Sequence, residues 1–123
     1  MFLTSKFRVG VAVAAFSVLA LAAGAVSAAD KIGNCEMTGK KGEFSITPAI
    51  AGQLTYETNL PAPGWNNGDT PETIKDGYEY CLAANVAYRL GLDKVVVKNV
   101  DFDALVAGNT KDFDIALSQI SIT

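Results

Sequence analysis

Two sets of residues in this sequence carry chemistry. Ser118, Gln119, Ser121 and Thr123 form a polar turn that follows the alternating apolar residues Phe113, Ile115 and Leu117. Such a turn lies at the carboxyl end of a strand, where α/β sheets bind small ligands, and its hydroxyl and amide groups offer hydrogen bonds to a polar one. The second set is Cys35 and Cys81. An even pair of cysteines in an exported chain favours a disulfide, here closing a loop of about 46 residues. Two free thiols are the alternative. Lipid attachment at Cys35 fits poorly, because Asn34 stands where a small residue is wanted. The chain has no histidine. That removes the usual general base, nucleophile activator and metal ligand, so Ser-His and Cys-His catalysis are excluded. Two thiols without histidine also make a poor zinc site, and neither a metal nor a cofactor is expected. The chain is not expected to be an enzyme.

The elements that must position these residues follow in order. Asp30 to Pro48 is polar, contains Gly33, Gly39 and Gly42, and shows no sustained period. It belongs to an irregular leader over residues 29–51, with a short extended piece at Phe44-Ser45-Ile46. Leu54 and Tyr56, two apart, mark a first strand over Gln53 to Thr58. From Asn59 to Pro71, three prolines and two glycines forbid regular structure. Long loops of this kind in small domains are usually functional.

Asp76 or Gly77 opens a helix, and Gly91 stops it. Tyr78, Leu82, Val86 and Leu90 recur at spacing four, widened by Ala83 and Ala87, and this stripe is the expected buried face. Val95-Val96-Val97 is an unbroken apolar run, which predicts a strand covered on both faces. Asp101 caps a short second helix whose Phe102, Leu105 and Val106 are expected to face inward, with Gly108 ending it. A last strand follows at Phe113 to Leu117. The order β-α-β-α-β with short connections predicts an α/β fold with a parallel sheet and right-handed crossovers.

Residues 1–28 have the form of a secretory signal peptide. Lys6 and Arg8 precede an apolar run from Val9 to Val26, and Val26-Ser27-Ala28 offers the small residues a signal peptidase needs. Cleavage after Ala28 or Ala29 is expected; an uncleaved membrane anchor is the alternative, since the run approaches the roughly 18–20 residues that span a bilayer. Removing Lys6 and Arg8 leaves eight Lys and Arg against thirteen Asp and Glu. That acidic balance disfavours nucleic acid and anionic membranes as partners. A periplasmic or extracellular location is expected.

Several short motifs share their order with one family. These are Tyr56-Glu57-Thr58-Asn59, the Pro-rich loop with Trp65, Gly77-Tyr78-Glu79-Tyr80, Arg89-Leu90-Gly91-Leu92, Phe102-Asp103-Ala104-Leu105, Phe113-Asp114-Ile115-Ala116 and Ser121-Ile122-Thr123. Together they resemble the first lobe of the solute-binding proteins of amino-acid ABC transporters (bacterial extracellular solute-binding protein family 3). The resemblance covers residues 52–123. It implies a two-lobed receptor with a type II periplasmic-binding-protein-like fold, of which this chain holds part of lobe 1. It further implies an incomplete chain that lacks the second lobe.

The implied activity is capture of a small polar solute, an amino acid before others, for delivery to a membrane permease by a monomeric binding component. In the family the Ser-x-Thr turn and the residue two before its Ser hold the ligand's α-carboxylate, which falls here on Ser121, Thr123 and Gln119. Trp65 is the candidate aromatic platform, and Asn59 stands where many members have a ligand-reaching Asp. The pattern departs at Gln119, often Gly or Ser, and at Cys81, often Asp. An Arg that completes the carboxylate grip is absent. Plainer readings stand beside these: Trp65 as cover for the core edge, Ser121 and Thr123 as a helix start, Gln119 as surface. The alternative functions are an enzyme on the same scaffold, dehydratase-like or peptidoglycan-cleaving, and an inactive truncated product.

Overall fold

The computed structural model describes residues 29–121. The expected signal peptide, residues 1–28, and the terminal Ile122 and Thr123 lie outside that range. The chain is α/β. Strand β1 (Lys31–Ile32) and β2 (Cys35–Glu36) form an antiparallel hairpin. Then follow β3 (Leu54–Thr58), α1 (Tyr78–Arg89), β4 (Val95–Asn99), α2 (Phe102–Val106) and β5 (Ile115–Ala116). The last three strands make one parallel sheet in the order β4-β3-β5. The βαβαβ order expected from the sequence is therefore present, with β3 at the centre.

The leader is not wholly irregular. Gly33 turns β1 into β2 at a φ of 60°, and a Cβ there would sit 2.5 Å from the Lys75 carbonyl oxygen. Only glycine fits so close to another backbone. The hairpin lies on α1, where Cys35 and Cys81 form a disulfide with Cα atoms 5.4 Å apart. The expected extended piece at Phe44-Ser45-Ile46 is not a strand, and all three residues are exposed.

Alpha-helix 1 stops as its sequence demands. Gly91 takes a φ of 74°, its N–H donates to the Tyr88 carbonyl, and Leu92 N–H reaches back to Ala87 at 2.8 Å. This double closure satisfies the last carbonyls of the helix. The buried face matches the expected one in part: Ala83 and Ala87 are buried, and Val86 and Leu90 pack partly buried against the core. Tyr80, Ala83, Ala84 and Ala87 are buried, whereas Tyr78 is 69% and Leu82 45% exposed. The small alanines allow close approach to the sheet, and the hairpin covers Tyr80, so the first two residues of the spacing-four stripe turn outward.

The second helix is capped by Asp101, whose Oδ1 accepts from Ala104 N–H at 3.0 Å. Of its three expected inward residues only Leu105 is buried; Phe102 and Val106 are exposed. With five residues it makes little more than one turn, so one side chain meets the core. The same shortness corrects the expectation for β4. Only Val97 is buried there, and Val95 and Val96 are half-buried at the sheet edge.

The core combines Leu54, Tyr56, Ile74, Tyr80, Ala83, Ala84, Ala87 and Val97 with Ile32 and Cys35 of the hairpin. Strand β3 is buried along its whole length. Its Glu57 is fully buried, and one oxygen, Oε1, meets Lys98 Nζ at 2.8 Å. The other, Oε2, has no hydrogen-bond partner among the described residues. Asp114 joins the leader to the sheet, since its two oxygens accept from Ala49 N–H and Thr55 N–H, each at 2.7 Å.

Candidate functional site

The carboxyl ends of β3 and β5 open into a cleft of about 290 Å³ lined by Trp65, Tyr78, Glu79, Leu82 and the segment Ala116 to Ser121. Three elements build it. The loop after β3 brings Trp65, the first turns of α1 bring Tyr78, Glu79 and Leu82, and the turn after β5 brings Ser118 to Ser121.

The loop is fixed to the helix by backbone bonds. Gly64 and Trp65 carbonyls accept from Tyr78 and Glu79 N–H groups, each at 3.0 Å. Those donors open the helix and have no intrahelical partner, so the loop supplies the missing acceptors. Gly77 makes this possible: a Cβ there would lie 2.4 Å from the Trp65 carbonyl oxygen. The indole of Trp65 then meets the Tyr78 ring edge-on, with centroids 5.5 Å apart and planes at 89°. Both rings remain exposed to the cleft.

Beneath the rings lies a polar network. Glu79 is only 5% exposed. Its Oε1 accepts from Gln119 N–H at 2.6 Å, and its Oε2 accepts from Gln119 Nε2 at 3.1 Å. Asn66 Nδ2 and the Tyr56 hydroxyl also donate to Oε2, at 3.1 and 3.2 Å. A buried carboxylate is tolerated when its oxygens are filled by donors. The start of a helix also favours negative charge. Burial holds the Tyr56 phenol well above its ordinary pKa, so it stays a donor.

The expected site residues fall in different places. Trp65, Gln119 and Ser121 all line the cleft. Gln119 sits in the left-handed region at φ 50° and is held there by Glu79. Asn59 is not in the cleft lining. Its Nδ2 donates to the Val100 carbonyl at 2.9 Å, and its N–H donates to Ser118 Oγ at 3.1 Å. It thus ties together the ends of β3, β4 and β5. Thr123 lies outside the described residues. Cys35 and Cys81 are disulfide-bonded, and the bridge enters α1 two residues after Glu79.

Sequence reasoning did not single out Glu79, Asn66 or Tyr56 as site residues. The available signal was an acidic residue in the first turn of a helix that starts at glycine. Among the described residues, no group of three or more His, Cys, Asp or Glu side chains is arranged to hold a metal. No helix among them is long and apolar enough to cross a membrane. The cleft lining offers two aromatic faces, hydroxyl and amide groups and the Glu79 carboxylate, and it includes no Lys or Arg side chain. No family model, curated protein or solved structure matches this chain.

Proposed function

We propose that residues 52–123 belong to part of the first lobe of an extracytoplasmic solute-binding component that captures a small polar solute, an amino acid, and delivers it to an ABC-transporter permease. The observation that carries the reading is the convergence of Trp65, Gln119 and Ser121 on one cleft at the carboxyl ends of parallel strands. That is where open α/β sheets take ligands. The ligand's apolar stem lies against the Trp65 and Tyr78 rings. Ser121 and the Gln119 Nε2 hydrogen that Glu79 does not take meet its polar head. The disulfide fits export to an oxidising compartment.

The cleft provides neutral donors and no cationic side chain for the α-carboxylate. Such bonds to a charged group contribute about 1.5–3 kcal/mol each at best. We therefore expect this chain alone to bind no tighter than about millimolar, on the order of 4 kcal/mol.

The test is thermal denaturation of the purified chain with each of the twenty amino acids. At ten times a millimolar Kd, stabilisation of about 1.4 kcal/mol follows from mass action. At least one amino acid is expected to raise the melting temperature, with the effect lost for its decarboxylated analogue and in Trp65→Ala. No stabilisation by any of the twenty would overturn the proposal.

A further inference from the structure

The outer edge of β4 is a separate feature, on the side of the sheet away from β5. Lys94 C=O accepts from Leu54 N–H at 2.9 Å, and Val100 N–H donates to Thr58 at 3.0 Å. Backbone direction alternates along a parallel strand, so Lys94, Val96, Lys98 and Val100 turn toward β3. Val95, Val97 and Asn99 therefore aim their N–H and C=O groups away from the sheet. Among the described residues, no other backbone group bonds them.

This edge is not bare surface. Pro71, Glu72 and Lys75 stand opposite Lys94 to Val97 and close a groove of about 290 Å³. Its floor is an unbroken run of valines with open ladder groups, the pattern that invites another strand. Natural edges of this kind are usually blunted by proline, a bulge or charge; β4 has neither proline nor bulge, and its one charged residue, Lys98, follows the valines and is turned to Glu57. Charge selects the occupant. Lys75 and Lys94 flank the groove against the single carboxylate of Glu72. The ion pairs of the described residues join Lys41 to Asp93, Arg89 to Glu43 and Lys98 to Glu57, which leaves both flanking ammonium groups without a partner.

We propose that this groove docks an extended, acidic peptide segment of another protein, which adds to β4 as a strand. Main-chain bonds to Val95, Val97 and Asn99 supply the attachment, and carboxylates meeting Lys75 and Lys94 supply the selectivity. A second copy of this chain is a poorer occupant. Symmetric pairing would stack Lys75 and Lys94 of both copies along one seam, with only Glu72 to offset them.

Fluorescence anisotropy of a labelled hexapeptide alternating valine and aspartate, titrated with the whole chain, tests this. Binding is expected at least tenfold tighter than for the valine–lysine counterpart, and it weakens with added salt. Val95→Pro removes one outward N–H and leaves the β3–β4 ladder intact. It is expected to weaken aspartate-peptide binding at least tenfold without changing the circular dichroism melt. Should that variant not fold, Lys75→Glu combined with Lys94→Glu decides, and it is expected to abolish the preference for aspartate. No binding of the aspartate peptide at millimolar chain, equal affinity for both peptides, or unchanged binding by a folded variant would each overturn the proposal. So would sedimentation showing that the chain pairs with itself through β4.

Discussion

Glu79 and Gln119 are bound to each other twice, through the backbone N–H of Gln119 at 2.6 Å and through its side-chain amide at 3.1 Å. One carboxylate at the start of α1 thereby sets the shape of the turn that follows β5. Gln119 adopts a left-handed conformation at φ 50°, which costs a non-glycine residue on the order of 1 kcal/mol. The short bond to Glu79 offsets that cost and keeps Ser121 at the cleft. Glu79→Gln places an NH₂ group among donors and is expected to cost about 2 kcal/mol of stability. Urea denaturation measures the loss. A change below a few tenths of a kcal/mol would mean that the turn holds itself.

The bridge between Cys35 and Cys81 closes a loop with a sequence separation of 46 residues. In the chain-entropy description such a link contributes about 4 kcal/mol. Replacing both cysteines with serine should lower the melting temperature by roughly 20 °C. Differential scanning calorimetry with and without reductant reads the same shift, and an unchanged melt would show that packing alone holds the hairpin.

Gly77 sits at φ 113° with the Trp65 carbonyl where a Cβ would stand. Gly77→Ala should therefore pry the loop from the helix start, at a cost of about 2–3 kcal/mol. Tryptophan fluorescence reports it directly, since Trp65 is the chain's sole tryptophan. An emission spectrum and melt like those of the parent would contradict the proposed loop–helix contact.

Lys98 answers the buried Glu57, whose second oxygen has no partner among the described residues. Lys98→Ala strands that carboxylate and should cost about 3 kcal/mol, toward the low end for a broken buried pair because Lys98 is partly exposed. Combining it with Glu57→Gln should recover much of the loss. A double-mutant cycle showing no coupling would refute the pairing.

Stability should also fall in acid. Hydrogen bonds from Asn67 and Asn34 hold the Asp76 carboxyl below its ordinary pKa. Arg89 does the same for Glu43. A depressed folded-state pKa gives stability that is present above the unfolded value of about 4 and lost as pH falls through the folded one. Urea midpoints between pH 3 and pH 6 should therefore drop, and Asp76→Asn should flatten the slope. An identical slope in that variant would remove Asp76 from the explanation.

Much of this architecture is legible along the chain because local chemistry decides it. Gly91 and Gly108 end helices, Asp101 caps one, and Val95-Val96-Val97 forms a strand. The buried face of α1 is not legible in the same way. Tyr78 and Leu82 outweigh Ala83 and Ala84 in any hydrophobic pattern, yet alanine wins where a sheet and a hairpin press close from both sides. The hairpin itself is only two residues per strand, too short to show a period. Of the cleft, Trp65, Gln119 and Ser121 are visible as residue types. Glu79 is not, because its importance comes from Tyr56, Asn66 and Gln119, which only the fold assembles. Asn59 shows the reverse: a polar side chain expected to reach a ligand is occupied by the Val100 carbonyl.

The pairing of β3 sets the order in which the molecule can be born. Tyr56 is registered against Val97 on one side and Ile115 on the other, both synthesised long after it. The strand that every later element leans on can take β4 first, but it stays open on its other side until the ribosome has released β5. Such non-local closure makes folding slow and leaves an apolar segment at risk in the meantime. A ribosome-stalled chain ending before Asp112 should accordingly be digested by protease at Leu54 to Tyr56, while the released protein resists.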